Sequence, residues 1–283
     1  MYDPLHDLSP GIGEAYPDSY WADVSKDAPA DDGMLKQDLD VDVAIIGAGY
    51  TGLSCALHLA REHGIKATVL EANKTAWGCS GRNAGFILKS SGRKAYSTMQ
   101  KQWGEEVMRG IYGEMCAGVD AVKSLIAEGI DCEVQEAGYL KVAHKANKLD
   151  ELIALAKLQQ KMFGYDVQVL SQQEVRSQYM DDRNAYGAIR YQDGFGLNPL
   201  KLAWGYQKLA RQAGAKIYSS SPVTDWQTAN NKQQLITPQG TVTAKKVVIA
   251  TNGYTPKNLH GLVKNRTLPV LSQVIVTQPL TQE

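Results

Sequence analysis

Three glycines follow a short apolar run near the start of the chain, in the spacing Gly-x-Gly-x-x-Gly. Residues 43–46 read Val-Ala-Ile-Ile and predict a buried strand, and residues 51–63 predict a helix. Gly47 permits a tight turn between them, Gly49 lets a pyrophosphate approach the backbone, and Gly52 lets helix and strand pack closely. The free N–H groups of the helix N-terminus would bind the pyrophosphate. The pattern therefore predicts a dinucleotide-binding site.

A carboxylate follows at the spacing that such a site uses. A second strand is predicted over residues 67–70, and Glu71 closes it nineteen residues after Gly52. A carboxylate there can accept hydrogen bonds from both hydroxyls of a ribose. A glycine-rich turn with an incidental Glu is the alternative interpretation. The order strand, turn, helix, strand favours dinucleotide binding.

A second polar, glycine-rich loop indicates which dinucleotide is bound. Residues 78–85 read Gly-Cys-Ser-Gly-Arg-Asn-Ala-Gly. A nicotinamide site usually needs no such loop, whereas a flavin's diphosphate and ribityl chain continue past the first helix and need donors. Ser80, Arg82 and nearby backbone N–H groups can supply these donors. The alternative is an exposed loop with one arginine. Residues 249–253 add a buried strand end with small residues, where backbone can touch a cofactor.

Composition argues against several other classes of function. Lys plus Arg total 30 and Asp plus Glu total 30, so no basic surface for nucleic acid is expected. The four cysteines and five histidines form no Cys-x-x-Cys or His-x-x-x-His pair, which argues against a metal site and a disulfide framework. The first forty residues lack a signal-peptide pattern, so we expect a cytoplasmic protein. Glycines interrupt the uncharged stretch 43–60, so no stable membrane insertion is expected.

The pattern of the remaining residues predicts an N-terminal arm followed by alternating strands and helices. The arm covers residues 1–39, with Ser19, Tyr20 and Trp21 as a possible anchor onto the body. Further helices are predicted over residues 105–128, 148–163 and 199–214, and a short one after the capping box at 171–174. Further strands are predicted over residues 138–143, 216–218, 235–237, 247–250 and, as one long strand, 266–277.

These segments together resemble the D-amino-acid-oxidase-like FAD oxidoreductases. The resemblance lies in the segments GAGYTGLSCALHLA, VLEA, GCSGRNAGF, YQDGFGLNPLKLA and VVIATNGYT, and runs from about Ser19 to the end of the chain. The glycine motif is shared with many flavoproteins, whereas the SGRN-x-G loop is specific to this family. Ala84 replaces a common glycine, and Thr251-Asn252-Gly253 varies a small-residue turn. Neither change removes a donor.

The resemblance implies a site for FAD, and because no His or Cys stands in a recognisable flavin-linking motif, we expect FAD to be bound non-covalently. Gly47, Ala48, Gly49, Tyr50, Thr51 and Gly52 would surround the pyrophosphate, while Glu71, Ala72 and Lys74 would lie at the adenosine ribose. Ser80, Gly81, Arg82, Asn83, Ala84 and Gly85 would face the phosphates, ribityl chain and flavin ring. Val223 would meet the adenine through its backbone, and Ala250, Thr251 and Gly253 would line the flavin. No catalytic residue and no metal site follow from the resemblance.

The resemblance also implies an α/β (α+β) fold with two interleaved domains. Residues 40–95 and 199–255 would form a Rossmann-type FAD-binding domain with a parallel sheet. Residues 96–198 and 256–283 would form a substrate domain with an antiparallel or mixed sheet, and a C-terminal portion of the fold is expected to be missing.

The expected activity is oxidation of the C–N bond of an amine to an imine. The amine would be gamma-glutamylputrescine-like or amino-acid-like, and dioxygen would be the acceptor, giving hydrogen peroxide. An NAD-dependent dehydrogenase and an FAD-binding fragment without turnover are the alternatives.

Overall fold

The computed structural model describes residues 12–90, 92, 94–264, 266–270 and 272–277. The helices are α1 Tyr20–Val24, α2 Tyr50–His63, α3 Tyr96–Trp103, α4 Glu105–Ala127, α5 Ala146–Phe163, α6 Gln172–Gln178 and α7 Pro199–Gln212. The strands are β1 Leu39–Ile46, β2 Thr68–Leu70, β3 Phe86–Ile87, β4 Tyr139–Val142, β5 Gln168–Ser171, β6 Gly187–Tyr191, β7 Phe195–Gly196, β8 Lys216–Tyr218, β9 Asp225–Ala229, β10 Lys232–Thr237 and β11 Gly240–Ile249. The α/β class is confirmed.

Two compact units contain these elements. The first comprises the described residues up to Gly85, Ile130–Cys132, and the described residues from Asn198 onward. The second comprises Phe86–Gly129 and Glu133–Leu197, leaving out the residues that are not described. The predicted division into an FAD-binding domain and a substrate domain, with the boundaries given above, stays a prediction.

The first unit contains a six-stranded mixed sheet in the order β8-β2-β1-β11-β10-β9. The first four strands are parallel, and β10 and β9 extend the sheet by antiparallel pairing. The last four residues of β1 are buried, as the apolar run at 43–46 predicts for a central parallel strand. The predicted strand at 247–250 is confirmed as the end of β11, which pairs in parallel with β1.

The second unit contains a three-stranded antiparallel sheet in the order β4-β6-β5 and a separate pair, β3 with β7. Tyr139 pairs with Tyr191 across β4 and β6, and their rings stack with centroids 4.5 Å apart. The predicted capping box is present at the start of α6, where Ser171 and Glu174 exchange hydrogen bonds. The core of this unit is partly aromatic.

The predicted arm is extended except for α1. Ser19 caps α1 by accepting a hydrogen bond from the Ala22 N–H group at 3.4 Å. Further along, Leu35 is completely buried in the core of the first unit. Residues 1–11 lie outside the described part of the chain, and the boundary falls at Leu39, where β1 begins.

The strand predicted over residues 266–277 is wrong for the residues that the structure describes. Neither 266–270 nor 272–277 pairs with a strand, and the side chains of Leu268, Val270 and Ile275 are strongly exposed. A β-rich composition favours an extended backbone, but a strand also needs a neighbour with which to exchange hydrogen bonds. Residues 265, 271 and 278–283 lie outside the described part.

Among the described residues, no helix combines the length and apolar character needed to cross a bilayer. The same part of the chain contains no cluster of His, Cys, Asp and Glu side chains arranged for a metal ion.

Candidate functional site

The parallel strands of the first unit end together at one edge of the sheet. Ile46 of β1 pairs with Leu70 of β2 and with Ile249 of β11, and Leu70 pairs with Tyr218 of β8. Ligands of open α/β sheets bind beyond the carboxyl ends of the strands. The segments that follow β1, β2, β8 and β11 are therefore the ones that can build a site.

The turn between β1 and α2 requires glycine at two positions. Gly47 has φ +106°, and a Cβ atom there would lie 2.6 Å from the carbonyl oxygen of Ala250. A Cβ atom at Gly52 would lie 2.0 Å from the carbonyl oxygen of Gly47. The close packing of helix on turn thus has the geometry that the motif predicts.

The second loop contacts the N-terminus of α2. The Tyr50 N–H group donates to Ser80 Oγ at 3.1 Å. The N–H groups of Thr51 and Gly52, also in the first turn, have no acceptor within the helix. Together with the positive end of the helix dipole they form a donor set suited to a phosphate. Tyr50 itself points away, since its hydroxyl donates to the carbonyl oxygen of Pro199 at 2.6 Å.

Glu71 connects the glycine turn to the loop after β2. Its Oε2 accepts a hydrogen bond from the Ala48 N–H group at 2.8 Å, and its Oε1 accepts one from the Asn73 N–H group at 3.0 Å. Burial raises the pKa of Glu71, against the opposing effect of these bonds. Each carboxylate oxygen has a second lone pair, so the group retains capacity to accept from a ligand hydroxyl.

Arg82 organises the second loop instead of projecting from it. Its guanidinium group donates to the carbonyl oxygens of Trp77 and Gly78. The guanidinium also lies over the Trp77 ring, 4.6 Å from its centroid. Trp77 packs edge-on against Tyr254, with ring centroids 5.7 Å apart. Arg82 thereby stabilises one wall of the site through Trp77.

These segments enclose a cleft of about 840 Å³, including the open space at its mouth. Eight of the predicted site residues line it: Gly47, Gly49, Glu71, Ala72, Ser80, Val223, Ala250 and Thr251. The others do not line this cleft: Ala48, Tyr50, Thr51, Gly52, Lys74, Gly81, Arg82, Asn83, Ala84, Gly85 and Gly253.

Several of the residues around the cleft were not predicted. Asn73, Trp77, Pro222 and Tyr254 line it, and so do Ile46, Leu70 and Leu259. Ile46, Leu70 and Pro222 are adjacent in sequence to predicted residues, which is a signal that could have identified them. Tyr254 likewise follows the predicted residue Gly253. Trp77 carries no such signal, and the contact between the Trp77 and Tyr254 rings depends on how two distant loops meet.

Comparison with known proteins identifies the family. A family model described as FAD dependent oxidoreductase (DAO) matches residues 42–283. The chain belongs to this family.

The relatives are longer than this chain. It is 32% identical to gamma-glutamylputrescine oxidoreductase of Escherichia coli (strain K12) over 93% of its own length and 61% of the relative's. It is 25% identical to sarcosine oxidase subunit beta of Rhizobium meliloti, over 83% of this chain and 54% of that one. Glycine oxidase from Bacillus cereus ATCC 14579 superposes with a TM-score of 0.60 and 27% identity, over 79% and 58%. The chain thus spans about three fifths of these relatives' length.

The residues of the cleft fit FAD, the cofactor of this family. Gly49, the N-cap of α2, lines the cleft and places the N-terminus of the helix at its wall, where the pyrophosphate would bind, and Glu71 provides a carboxylate in the same lining. Val223 and Leu259 provide apolar contacts, and Ala250 lines the cleft at the end of β11. The helix N-terminus, the Glu71 carboxylate and the apolar walls match the three chemically different parts of a flavin dinucleotide.

Proposed function

We propose that this protein is an FAD-dependent amine oxidase. It would oxidise the C–N bond of a gamma-glutamylputrescine-like or amino-acid-like amine to an imine, with dioxygen as acceptor. Membership of the FAD dependent oxidoreductase family supports the redox chemistry. The names of three relatives, gamma-glutamylputrescine oxidoreductase, sarcosine oxidase subunit beta and glycine oxidase, support an amine or amino acid as substrate.

The observation that carries the proposal is the convergence of four separate segments on one cleft. The turn after β1, the loops after β2, the residues after β8 and the end of β11 all line it. A nicotinamide site would not need the second loop, whereas here Ser80 lines the cleft and contacts the α2 N-terminus. This arrangement favours a flavin over the NAD-dependent alternative.

We assign the predicted residues to two roles. One group lines the cleft and would contact FAD directly: Gly47, Gly49, Glu71, Ala72, Ser80, Val223, Ala250 and Thr251. The other group would keep the contacting segments in place: Ala48, Tyr50, Thr51, Gly52, Gly81, Arg82, Asn83, Ala84 and Gly85. Lys74 is exposed on the loop after β2 and would meet only the outer edge of the adenosine, and Gly253 would meet only the outer edge of the flavin.

The chain's own residues mainly bind and orient in the proposed reaction. When bound, FAD would supply the redox chemistry, as the acceptor for a hydride from the carbon next to an uncharged amine nitrogen. The glycine turn and Glu71 would fix the dinucleotide, and the Trp77–Tyr254 wall would exclude water from one side of it. We assign no side chain to proton transfer. The resulting imine would be hydrolysed by water.

An absorption spectrum and a peroxide assay test this function. Purified protein should show the visible bands of a flavin, and amines should produce hydrogen peroxide with consumption of dioxygen. A panel containing gamma-glutamylputrescine, sarcosine, glycine and larger D- and L-amino acids would identify the substrate class. A flavin spectrum without turnover of any amine would favour the binding-only alternative, and a spectrum lacking flavin bands would reject the proposal.

We further propose that FAD is held non-covalently and that the protein is cytoplasmic. The four cysteines are free in the structure, which suits a reducing compartment. Cys79 lines the cleft. Its thiol lies 3.6 Å from the Tyr254 hydroxyl, a hydrogen-bond partner within the protein, and we propose no covalent bond between this thiol and the flavin. Acid precipitation should release the yellow colour into the supernatant. Colour retained in the pellet would contradict non-covalent binding.

A further inference from the structure

The N-terminal arm makes direct hydrogen bonds to the loops that build the cleft. The arm segment is Glu14–Trp21, the first loop is residues 71–77 and the second loop is residues 78–85. The Tyr16 hydroxyl donates to the carbonyl oxygen of Thr75 at 2.7 Å. Three further bonds join Glu14 N–H to Asn73 Oδ1 at 3.1 Å, Trp77 Nε1 to the Ala15 carbonyl at 2.8 Å, and Trp21 Nε1 to the Asn83 carbonyl at 2.8 Å.

Tyr16 also contacts α7 through Trp204. The indole Nε1 of Trp204 donates to the Tyr16 hydroxyl at 3.1 Å, and the two rings pack with centroids 6.1 Å apart. Burial raises the pKa of Tyr16 to about 12, so the hydroxyl keeps its proton at neutral pH and remains a donor to Thr75. Tyr16 and Trp21 both pack on the apolar cluster that contains Ala76 and Trp204. A chain of contacts therefore runs from α7 through the arm to the first loop.

The arm contributes Ile12 to the lining of the cleft, whereas the arm residues that bond to the two loops lie outside that lining. Asn73, Trp77 and Ser80 line the cleft, whereas Tyr16 and Trp21 do not. The arm also lies outside the family match, which begins at residue 42. The arm's bonds therefore reach from outside the family match onto loops that lie within it.

We propose that the arm segment is a positioning element of the cofactor site. Tyr16 acts through Thr75 on the first loop, and Trp21 acts through Asn83 on the second. Neither residue touches the cofactor. The inference rests on the proposed binding of FAD in this cleft.

Three conservative substitutions on the arm test the inference. Tyr16→Phe removes the hydroxyl between Trp204 and Thr75, and Trp21→Phe removes the indole donor to Asn83. Tyr20→Phe is the matched control, because Tyr20 lies on the same arm, is half exposed and contacts the ring of Trp21. Losing one buried hydrogen bond weakens a linked equilibrium by about tenfold. We therefore expect about tenfold weaker FAD binding for Tyr16→Phe and Trp21→Phe, and less than twofold for the control.

The measurements separate positioning from general destabilisation. FAD affinity is measured by titrating folded, flavin-free protein, with far-ultraviolet circular dichroism showing that each variant is folded. Visible circular dichroism of the bound flavin reports its environment and should change in both variants. If Tyr16→Phe does not fold, Trp21→Phe alone decides.

The outcomes distinguish this inference from the proposed function. Parent-like affinity and visible circular dichroism in the folded variants would overturn the positioning role while leaving FAD binding intact. A parent chain that binds no FAD would reject the cofactor site together with the arm's role in it.

Discussion

Gly52 is the glycine at which an added Cβ atom should destabilise the folded protein most. A Cβ atom there would approach the Gly47 carbonyl oxygen to 2.0 Å, a contact with backbone that cannot rotate away. We expect Gly52→Ala to lower the free energy of unfolding by about 2–3 kcal/mol, as overpacking does, and to weaken FAD binding. Gly110→Ala in α4 is the control, since its Cβ would meet no atom within 4 Å. It should stabilise by up to about 1 kcal/mol through helix propensity.

Urea unfolding of the FAD-free variants measures the change in the free energy of unfolding, and titration with FAD measures the change in affinity. Equal stability of Gly52→Ala and parent would contradict the close packing of α2 on the glycine turn.

Glu71 should contribute both to the hydrogen bonds within the protein and to the binding of FAD. Glu71→Ala removes the acceptor for the Ala48 and Asn73 N–H groups, whereas Glu71→Gln keeps one carbonyl oxygen. We expect FAD binding to weaken by about 1.5–3 kcal/mol in Glu71→Ala and by less in Glu71→Gln. Fluorescence titration with FAD measures both, with Glu62→Gln on the exposed end of α2 as control. Parent-like affinity in both variants would disprove the assignment.

The sequence predicts individual site residues to the extent that backbone spacing determines them. Gly47, Gly52 and Glu71 follow from a strand-turn-helix-strand pattern, whose geometry is local. Arg82 shows where such reasoning stops. Its type suggests a phosphate ligand, but its partners are carbonyl oxygens of its own loop, which only the folded loop presents. The arm's bonds to the two loops are likewise non-local.

At the scale of elements, Asp32 joins the arm to α7 and β8. It pairs with Arg211 at 3.1 Å and accepts from the Ile217 N–H group at 2.9 Å, and its side chain is 13% exposed. Burial raises the pKa of Asp32, but these bonds outweigh burial, so the pKa lies below its usual value. The stabilisation is therefore present above about pH 4, the ordinary aspartate pKa, and is lost as pH falls through the lowered pKa.

We expect Asp32→Asn to cost about 2 kcal/mol of unfolding free energy at pH 7, the range for hydrogen bonds to a charged group. The difference from the parent should shrink when denaturation is repeated below pH 4. Asp18→Asn, at an exposed arm position, is the control. A difference that stays constant down to pH 2 would show that the carboxylate charge is not what stabilises the arm.

Elements were predictable where hydrophobic periodicity and burial coincide. The strands at β1 and β2 and the helices α2, α4, α5 and α7 have strong patterns, and their predicted limits fall within a few residues of the observed ones. β9 was missed because Asp225–Ala229 is a polar edge strand with no buried residue. β3 and β7 have two residues each and are too short to show a hydrophobic periodicity. The strand expected at 266–277 shows the converse error, a pattern without a pairing partner.

At the scale of the whole molecule, the chain passes from the first unit to the second and back. The lining of the cleft comes entirely from the first unit. The sequence predicts this interleaving only through the family resemblance, because β11 is separated from β1 and β2 by more than 150 residues, and this stretch includes the second unit with its own core. We propose that FAD binding belongs to the first unit and recognition of the amine to the second.

This division predicts where FAD should slow hydrogen exchange. FAD at about 100 times its dissociation constant stabilises a bound unit by about 2.7 kcal/mol, which slows exchange through opening of that unit by about 100-fold. Hydrogen exchange with mass spectrometry should show this slowing in peptides over residues 46–54, 71–83 and 250–254. Peptides over α5 provide the internal control, because α5 packs in the separate core of the second unit, and they should slow by less than threefold. Equal slowing of α5 would mean that the two units open as one, and unchanged exchange over 71–83 would contradict the position of FAD in the cleft.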